Sequence, residues 1–215
     1  MADAIDSGQI EYRVYIPSDA EAMTRLLAEV FCRRDPPAVA VGLTVSEFEE
    51  FVRLLLPQVE ADRLTIVATL AGSGEMVGAM LTEDSASPMP EGMNRLSAKF
   101  NPIFDILGGL DAEYRGERSI RHGEAMHLFL LGVSNTVAGR GVGQQLVAAC
   151  LEHGRRKGYR LAVTEATNKT SQHIFRKLGF VERVKRSYAD HVFEGQHFFR
   201  SIAEHGGPIL MDKEL

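Results

Sequence analysis

The chain carries only two cysteines in 215 residues, Cys32 and Cys150, and no CxxC pair. That excludes a disulfide framework and offers no zinc-ribbon spacing. Each cysteine sits in or beside an apolar helical stretch and reads as a buried free thiol. His173, His191, His197 and His205 are scattered, with no H-E-x-x-H pair, so they read as surface side chains and no metal is expected. No apolar run approaches the roughly 18 residues that span a bilayer. The start, Met1–Gln9, is polar and acidic, without the basic head and apolar middle of a signal peptide. Residues 1–9 are therefore expected to be flexible, and the protein to be cytoplasmic, with no membrane partner. Positive charge is not in excess: 24 Lys and Arg face 29 Asp and Glu, a net charge of −5. Binding nucleic acid wants a basic face, so no nucleic-acid partner is expected. The acidity is compatible with a cationic amine, though many ordinary proteins share it. There is no repeat at a fixed period and no low-complexity segment.

What is present is a normal globular balance, 45% hydrophobic and 25% charged. A chain of this length can bury a core without a staple. Residues 10–215 are expected to form one domain. Ile10–Ile16 alternates as a strand, with Tyr12, Val14 and Ile16 on one face. Ser18 and Asp19 suit a cap for a helix over Ala20–Phe31, which Asp35-Pro36-Pro37 should break. Thr44 or Ser46 can cap a second helix, Glu47–Leu56, which Pro57 should end. Leu64–Ala71 and Met76–Leu81 read as a hairpin around Gly72-Ser73-Gly74. Asp84–Met93 reads as a loop, and Asn94–Tyr114 as one or two helices weakened by Pro102 and Gly108-Gly109.

Ala125–Val133 is a near-continuous apolar run, as a strand buried on both faces should be. Gln144–Lys157 is amphipathic and closes on Gly158. Arg155–Lys157 is most simply its solvated end. Tyr159–Glu165 is another strand, and Asn168 can cap a helix over Lys169–Leu178 that closes on Gly179. Phe180–Tyr188 and Ile209–Lys213 are the last strands. This order implies an α/β layer arrangement.

The chemistry concentrates in Ala138-Gly139-Arg140-Gly141-Val142-Gly143-Gln144, between a strand and a helix. Gly139, Gly141 and Gly143 let the backbone take unusual dihedrals and approach a ligand closely. The first N–H groups of the helix have no intrahelical partner and carry partial positive charge, so a pyrophosphate fits there. Arg140 can add a charged contact. A tight strand-to-helix connection is the plain alternative. A Rossmann site would want G-x-G-x-x-G near the N-terminus, and a P-loop would want G-K-S/T; neither is present.

Leu128–Val133, the loop and the helix after it resemble the acyl-CoA motif of the GNAT acetyltransferase superfamily, Q/R-x-x-G-x-G/A. Gly141 and Gly143 match its glycines, while Ala138 stands at its Gln/Arg position. Asn168 to Phe180 resembles the family's second motif, N-x-x-S/A-x-x-x-Y-x-x-x-G-F, with Phe175 where the Tyr usually stands. Met126–Phe180 carries the resemblance. It implies a mixed, mostly antiparallel sheet flanked by helices on both faces. It also implies acetyl-CoA as co-substrate, held by Leu131, Gly132, Val133, the loop from Ala138 to Gln144, Asn168, Ser171 and Phe175. Val133 N–H would be an oxyanion donor, and the backbone at Leu131–Val133 would bond the cofactor's amides like an added strand.

Glu165-Ala166-Thr167, Ser187-Tyr188-Ala189-Asp190 and Phe31 with Asp35-Pro36 are similar to the arylalkylamine N-acetyltransferases. That likeness puts Asp35 in the place of a general base and makes Ser171 a candidate helper. Asp35 could instead be a simple cap before Pro36. His127 is a second base candidate, since alternation would put it on one face with Phe129, Leu131 and Val133; a hydrogen-bonded core histidine is its ordinary alternative. Glu124 is a third, or a strand-end charge. Tyr188 could stand in for the missing Tyr as acid, or be a half-buried strand residue. The expected activity is acetyl transfer to a primary amine of a small molecule, an arylalkylamine or polyamine, by a monomer or homodimer. A non-catalytic acyl-CoA-binding protein and a peptide or protein acetyltransferase are the rival readings.

Overall fold

The computed structural model describes residues 9–116 and 119–215, so all but Gln9 of the expected flexible start lies outside the described residues. Among the described residues seven strands form one sheet, in the order β1-β2-β3-β4-β5-β7-β6. They are β1 (Ile10–Val14), β2 (Ile66–Leu70), β3 (Met76–Asp84), β4 (Ala125–Val133), β5 (Leu161–Ala166), β6 (Val181–Lys185) and β7 (Ile209–Glu214). Neighbours are antiparallel except β4 and β5. The sheet is thus mixed and mostly antiparallel, with helices on both faces.

Helix α1 (Ala20–Arg34) presents Met23, Leu27 and Ala28 to the core. Asp19 precedes it but does not cap it. Its carboxylate instead accepts from Arg13 at 2.6 and 2.8 Å and from the Ile16 N–H. The double proline does stop α1, yet Pro36–Ala40 coils again as a short α2, because proline's fixed φ suits a first helical turn. Helix α3 (Val45–Asp62) opens on a capping box of Thr44 and Glu47. It runs through Pro57 rather than ending there. Proline removes one N–H on an exposed position, while Phe51, Val52, Leu55 and Val59 stay buried on either side of it. Burying each such side chain contributes about 1.5–3 kcal/mol, enough to outweigh one lost hydrogen bond.

Helix α4 (Asn101–Arg115) carries Pro102 in its first turn and absorbs Gly108-Gly109. Helices α5 (Val142–Arg156) and α6 (Lys169–Lys177) follow the two motif segments. One core layer lies between the sheet and α1, α3 and α4, and holds Leu27, Phe51, Leu55, Phe100 and Leu130. The other lies under α5 and holds Met80, Met126, Leu128, Leu146 and Cys150. Cys150 is fully buried, whereas Cys32 is only half-buried.

Two details of the sheet shape the site. First, β4 and β5 pair only from Ala125↔Leu161 to His127↔Val163. Beyond that point β5 stays paired with β7 as far as Ala166↔Ile209, and β4 runs on alone on that edge. The two strands part and leave a cleft. Second, the register of β3 against β4 shifts: Leu81 faces Leu130, and Thr82 faces Leu128, leaving Phe129 as an extra residue. Such a bulge breaks the alternation of side chains. Phe129 and Leu130 both pack with the α1–α3 layer. A Cβ on Gly132 would strike Leu27 at 2.7 Å, while one on Gly143 of α5 would meet Val133 and Leu131. His127 and Phe129 therefore face one side of the sheet, and Leu131 and Val133 the other. The shared face expected from simple alternation is corrected by the bulge.

The strand expected to reach Tyr188 stops at Lys185. The backbone at Arg186 is pressed against the 206–208 segment, so closely that a Cβ on Gly207 would lie 1.8 Å from the Arg186 carbonyl oxygen. Tyr188 sits past this turn, fully buried.

Candidate active site

A cleft of about 1460 Å³ runs from the α5 N-terminus, between the parted β4 and β5, into the α1–α3–α4 layer. At its first end Gly139 and Gly141 have φ of 77° and 75°, in the left-handed region that favours glycine. No side chain caps α5, so its first N–H groups are left to the cleft. Gly143 does something else: a Cβ there would lie 3.2 Å from Ile174, so its smallness lets α5 close onto α6 and β4. Leu131, Val133, Ala138, Gly139, Gly141, Val142, Gly143 and Gln144 line this end together with Asn168, Ser171 and Phe175. Gly132 does not, because it faces α1, and Arg140 is exposed outside the lining with its charge near Tyr12.

The Ser134 N–H donates to Val77 on β3. By antiparallel alternation the Val133 N–H and C=O then face the open edge. The Val133 carbonyl is not waiting for a ligand, however. Arg34 donates to it, and also to Asn135 Oδ1 at 2.8 Å. Only the N–H of Val133 remains for a donor role. An uncapped helix start with left-handed glycines, beside a strand edge with a free N–H, fits the pyrophosphate and amide chemistry of acyl-CoA.

Asp35 lies midway along the cleft. It is the N-cap of α2, with Ala38 N–H donating to Oδ2 at 3.3 Å. The Thr167 hydroxyl, just past the end of β5, donates to Oδ1 at 2.5 Å. Asp35 is thus a cap residue that also lines the cleft. Burial pushes the Asp35 carboxyl up to about 6, against the two hydrogen bonds and the nearby His205 that pull it down. His205, half-buried, and His173, exposed as expected, both stand at the lining of the cleft.

Ser171 lines the cleft, but its hydroxyl donates to the Asn168 carbonyl at 2.9 Å, as a first-turn residue does. Phe175 is buried edge-on against Phe180 with centroids 5.0 Å apart. Tyr188 stands behind the cleft, its hydroxyl donating to the Thr167 carbonyl at 2.8 Å, and burial drives its pKa far upward. It supports the turn that carries Thr167. Glu124 is exposed at the start of β4, bonded to Arg121 and outside the cleft.

The far end is aromatic. Phe31, Phe48, Phe51, Phe100, Phe104 and Phe129 line it, from α1, α3, the start of α4 and β4. They contact one another at centroid distances of 5.0 to 6.0 Å. His127 stacks on Phe129 at 4.8 Å. Its Nδ1 lies 3.1 Å from Glu83 Oε1 and its Nε2 2.6 Å from Glu165 Oε2. Burial works against charge on His127, but Glu165 and then Glu83 outweigh it and push its pKa up to about 10. Burial would raise Glu165 as well, and the imidazolium holds it low instead. Sequence reasoning missed Glu83, Thr167 as the partner of Asp35, and the aromatic walls; only the pairing of β3 with β4 puts Glu83 opposite His127.

Residues 47–180 match the model of the Acetyltransferase (GNAT) family, and the chain belongs to that family of acyltransferases. Among solved structures, the C-terminal condensation domain of Ebony, in complex with beta-alanyl-dopamine, superposes with a TM-score of 0.88 at 13% identity, covering 96% of this chain and 99% of that one. Arylalkylamine N-acetyltransferase 2 from Aedes aegypti has a TM-score of 0.80 at 20% identity, covering 96% and 99%. The Drosophila melanogaster polyamine N-acetyltransferase has 0.77 at 22%, covering 96% and 100%. At these identities the likeness is one of fold.

Proposed function

We propose that this acyltransferase moves an acetyl group from acetyl-CoA directly to the primary amine of a small arylalkylamine. One observation carries the reading: an aromatic-walled pocket opens onto the same cleft as the glycine loop, with the buried carboxyl of Asp35 between them. Solved structures of similar fold include arylalkylamine and polyamine N-acetyltransferases, which supports the substrate class. A polyamine is the second reading, favoured by the carboxylates of Glu83 and Glu165 at the far end.

Bound acetyl-CoA supplies the thioester, whose carbon–sulfur bond breaks as the carbon–nitrogen bond forms. Asp35 takes the proton from the attacking amine, directly or through a water, and a carboxyl titrating near 6 is ionised at neutral pH. The Val133 N–H donates to the oxyanion. Ser171 is the hydroxyl at hand to protonate the thiolate, since Phe175 has no proton to give. His127 is not a base in this scheme, because both ring nitrogens are engaged by carboxylates.

The test is thiol release from acetyl-CoA by the purified protein with tyramine, dopamine, tryptamine and spermidine. Amine-dependent release, lost in Asp35→Ala while acetyl-CoA still binds, is the expected result. Binding without release from any amine would move the protein to the peptide-acceptor or non-catalytic readings.

A further inference from the structure

Glu83, His127 and Glu165 come from three adjacent strands and meet at the floor of the aromatic pocket. The imidazole lies between the two carboxylates and bonds one oxygen of each. The trio is only partly covered, with side-chain exposures of 17%, 17% and 9%, and all three line the cleft. Two carboxylates around one imidazolium leave one net negative charge. Nearby Asp111 and Arg115 pair with each other at 2.7 Å and roughly cancel. Ion pairing of this kind, partly covered, is weak ground for a purely structural role, and carboxylate oxygens that line a cavity are open to a ligand's donors.

The position of the trio sets what it can touch. Thr167, which holds Asp35, stands two residues beyond Glu165 along the β5 chain. Two strand steps span about 7 Å, comparable to the reach from an amino nitrogen, across a two-carbon arm, to the far edge of a benzene ring. The ring itself would lie among Phe51, Phe104 and Phe129. What meets Glu83 and Glu165 is then whatever the ring carries at its far edge.

We propose that Glu83 and Glu165, held apart by His127, form a subsite that accepts hydrogen bonds from the ring hydroxyls of a phenolic or catecholic arylalkylamine. The inference rests on the arylalkylamine reading of the pocket and sharpens it. A hydroxyl donates to a carboxylate without bringing charge. The distal ammonium of a diamine would have to shed its water among phenylalanines and sit beside an imidazolium of the same sign. An unsubstituted ring would leave charged acceptors buried against carbon.

The experiment is a comparison of kcat/KM for tyramine, dopamine, phenethylamine and putrescine, with acetyl-CoA fixed, in the wild type, Glu83→Gln and Glu165→Gln. The wild type should favour tyramine and dopamine over phenethylamine by at least about tenfold, the discrimination expected when a charged acceptor loses its partner. Each glutamine variant should bring the tyramine-to-phenethylamine ratio toward one. Equal use of tyramine and phenethylamine by the wild type would overturn the subsite and leave the arylalkylamine reading standing. So would an unchanged ratio in both variants, with melting curves showing them folded. Preference for putrescine, or no turnover of any amine, would overturn both.

Discussion

Asp35 and Thr167 are 132 positions apart in the chain, and the Thr167 hydroxyl donates to the Asp35 carboxylate at 2.5 Å. The bond ties the end of α1 to the end of β5 across the cleft. It opposes the burial that raises the pKa of Asp35. Tyr188 completes the arrangement from behind, through the Thr167 carbonyl.

The activity should therefore rise with pH through a limb centred near 6, as Asp35 ionises. Thr167→Val removes the hydroxyl that favours the ionised form and should move that limb upward. The check is kcat/KM against pH for both proteins. A limb that does not respond to Thr167→Val would mean that another group carries it. Stability has its own sign here: a carboxyl raised above 3.8 in the folded state costs stability as pH rises from about 4 to 6. Asp35→Asn should flatten that fall.

His127 gives the opposite kind of pH dependence. Its folded pKa is raised from 6.5 to about 10, so its stabilisation is fully present below pH 6.5 and is lost as pH climbs to about 10. Comparing melting temperatures of the wild type and His127→Gln across pH 6 to 10 should show a gap that closes with rising pH. Partial exposure of the trio reduces the size of this gap, not its direction. A gap constant across that range would contradict the imidazolium assignment.

Gly141 and Gly143 should fail for different reasons. Alanine at Gly141 meets no atom within 4 Å but must hold a φ of 75°, which costs about 1–2 kcal/mol. It should lower the urea midpoint and weaken acetyl-CoA binding together. Alanine at Gly143 instead presses on the Ile174 methyl at 3.2 Å, a flexible end that can shift. Titration calorimetry on both variants separates the two, and tight binding by Gly141→Ala would refute its role in the loop.

Pro57 sits on the exposed side of α3 and denies the Arg53 carbonyl its partner four residues on. Pro57→Ala restores that N–H and relieves the ring. It also gives the unfolded chain more freedom, which offsets part of the gain. The net expectation is about 1–2 kcal/mol of added stability by urea denaturation, without change in activity.

Much of this protein was legible without coordinates. The apolar run Ala125–Val133 is β4 to the residue, and Asn168 caps α6 as its side chain suggests. The glycine loop announces the α5 N-terminus because left-handed φ leaves few alternatives to glycine. These are local matters, decided by a few consecutive residues. Tertiary structure decided the rest. Pro57 was outvoted by apolar contacts on both sides of it, and Asp19 took Arg13 as its partner in place of a helix end. The bulge at Phe129 turned His127 away from Leu131 and Val133, and the register of β3 brought Glu83 against it. Which side chains share a face depends on how strands pair, and pairing is set by packing across the whole sheet. The sequence by itself determined that there is a glycine-rich helix start and a strand beside it; the pocket that faces them exists only because three strands and three helices meet.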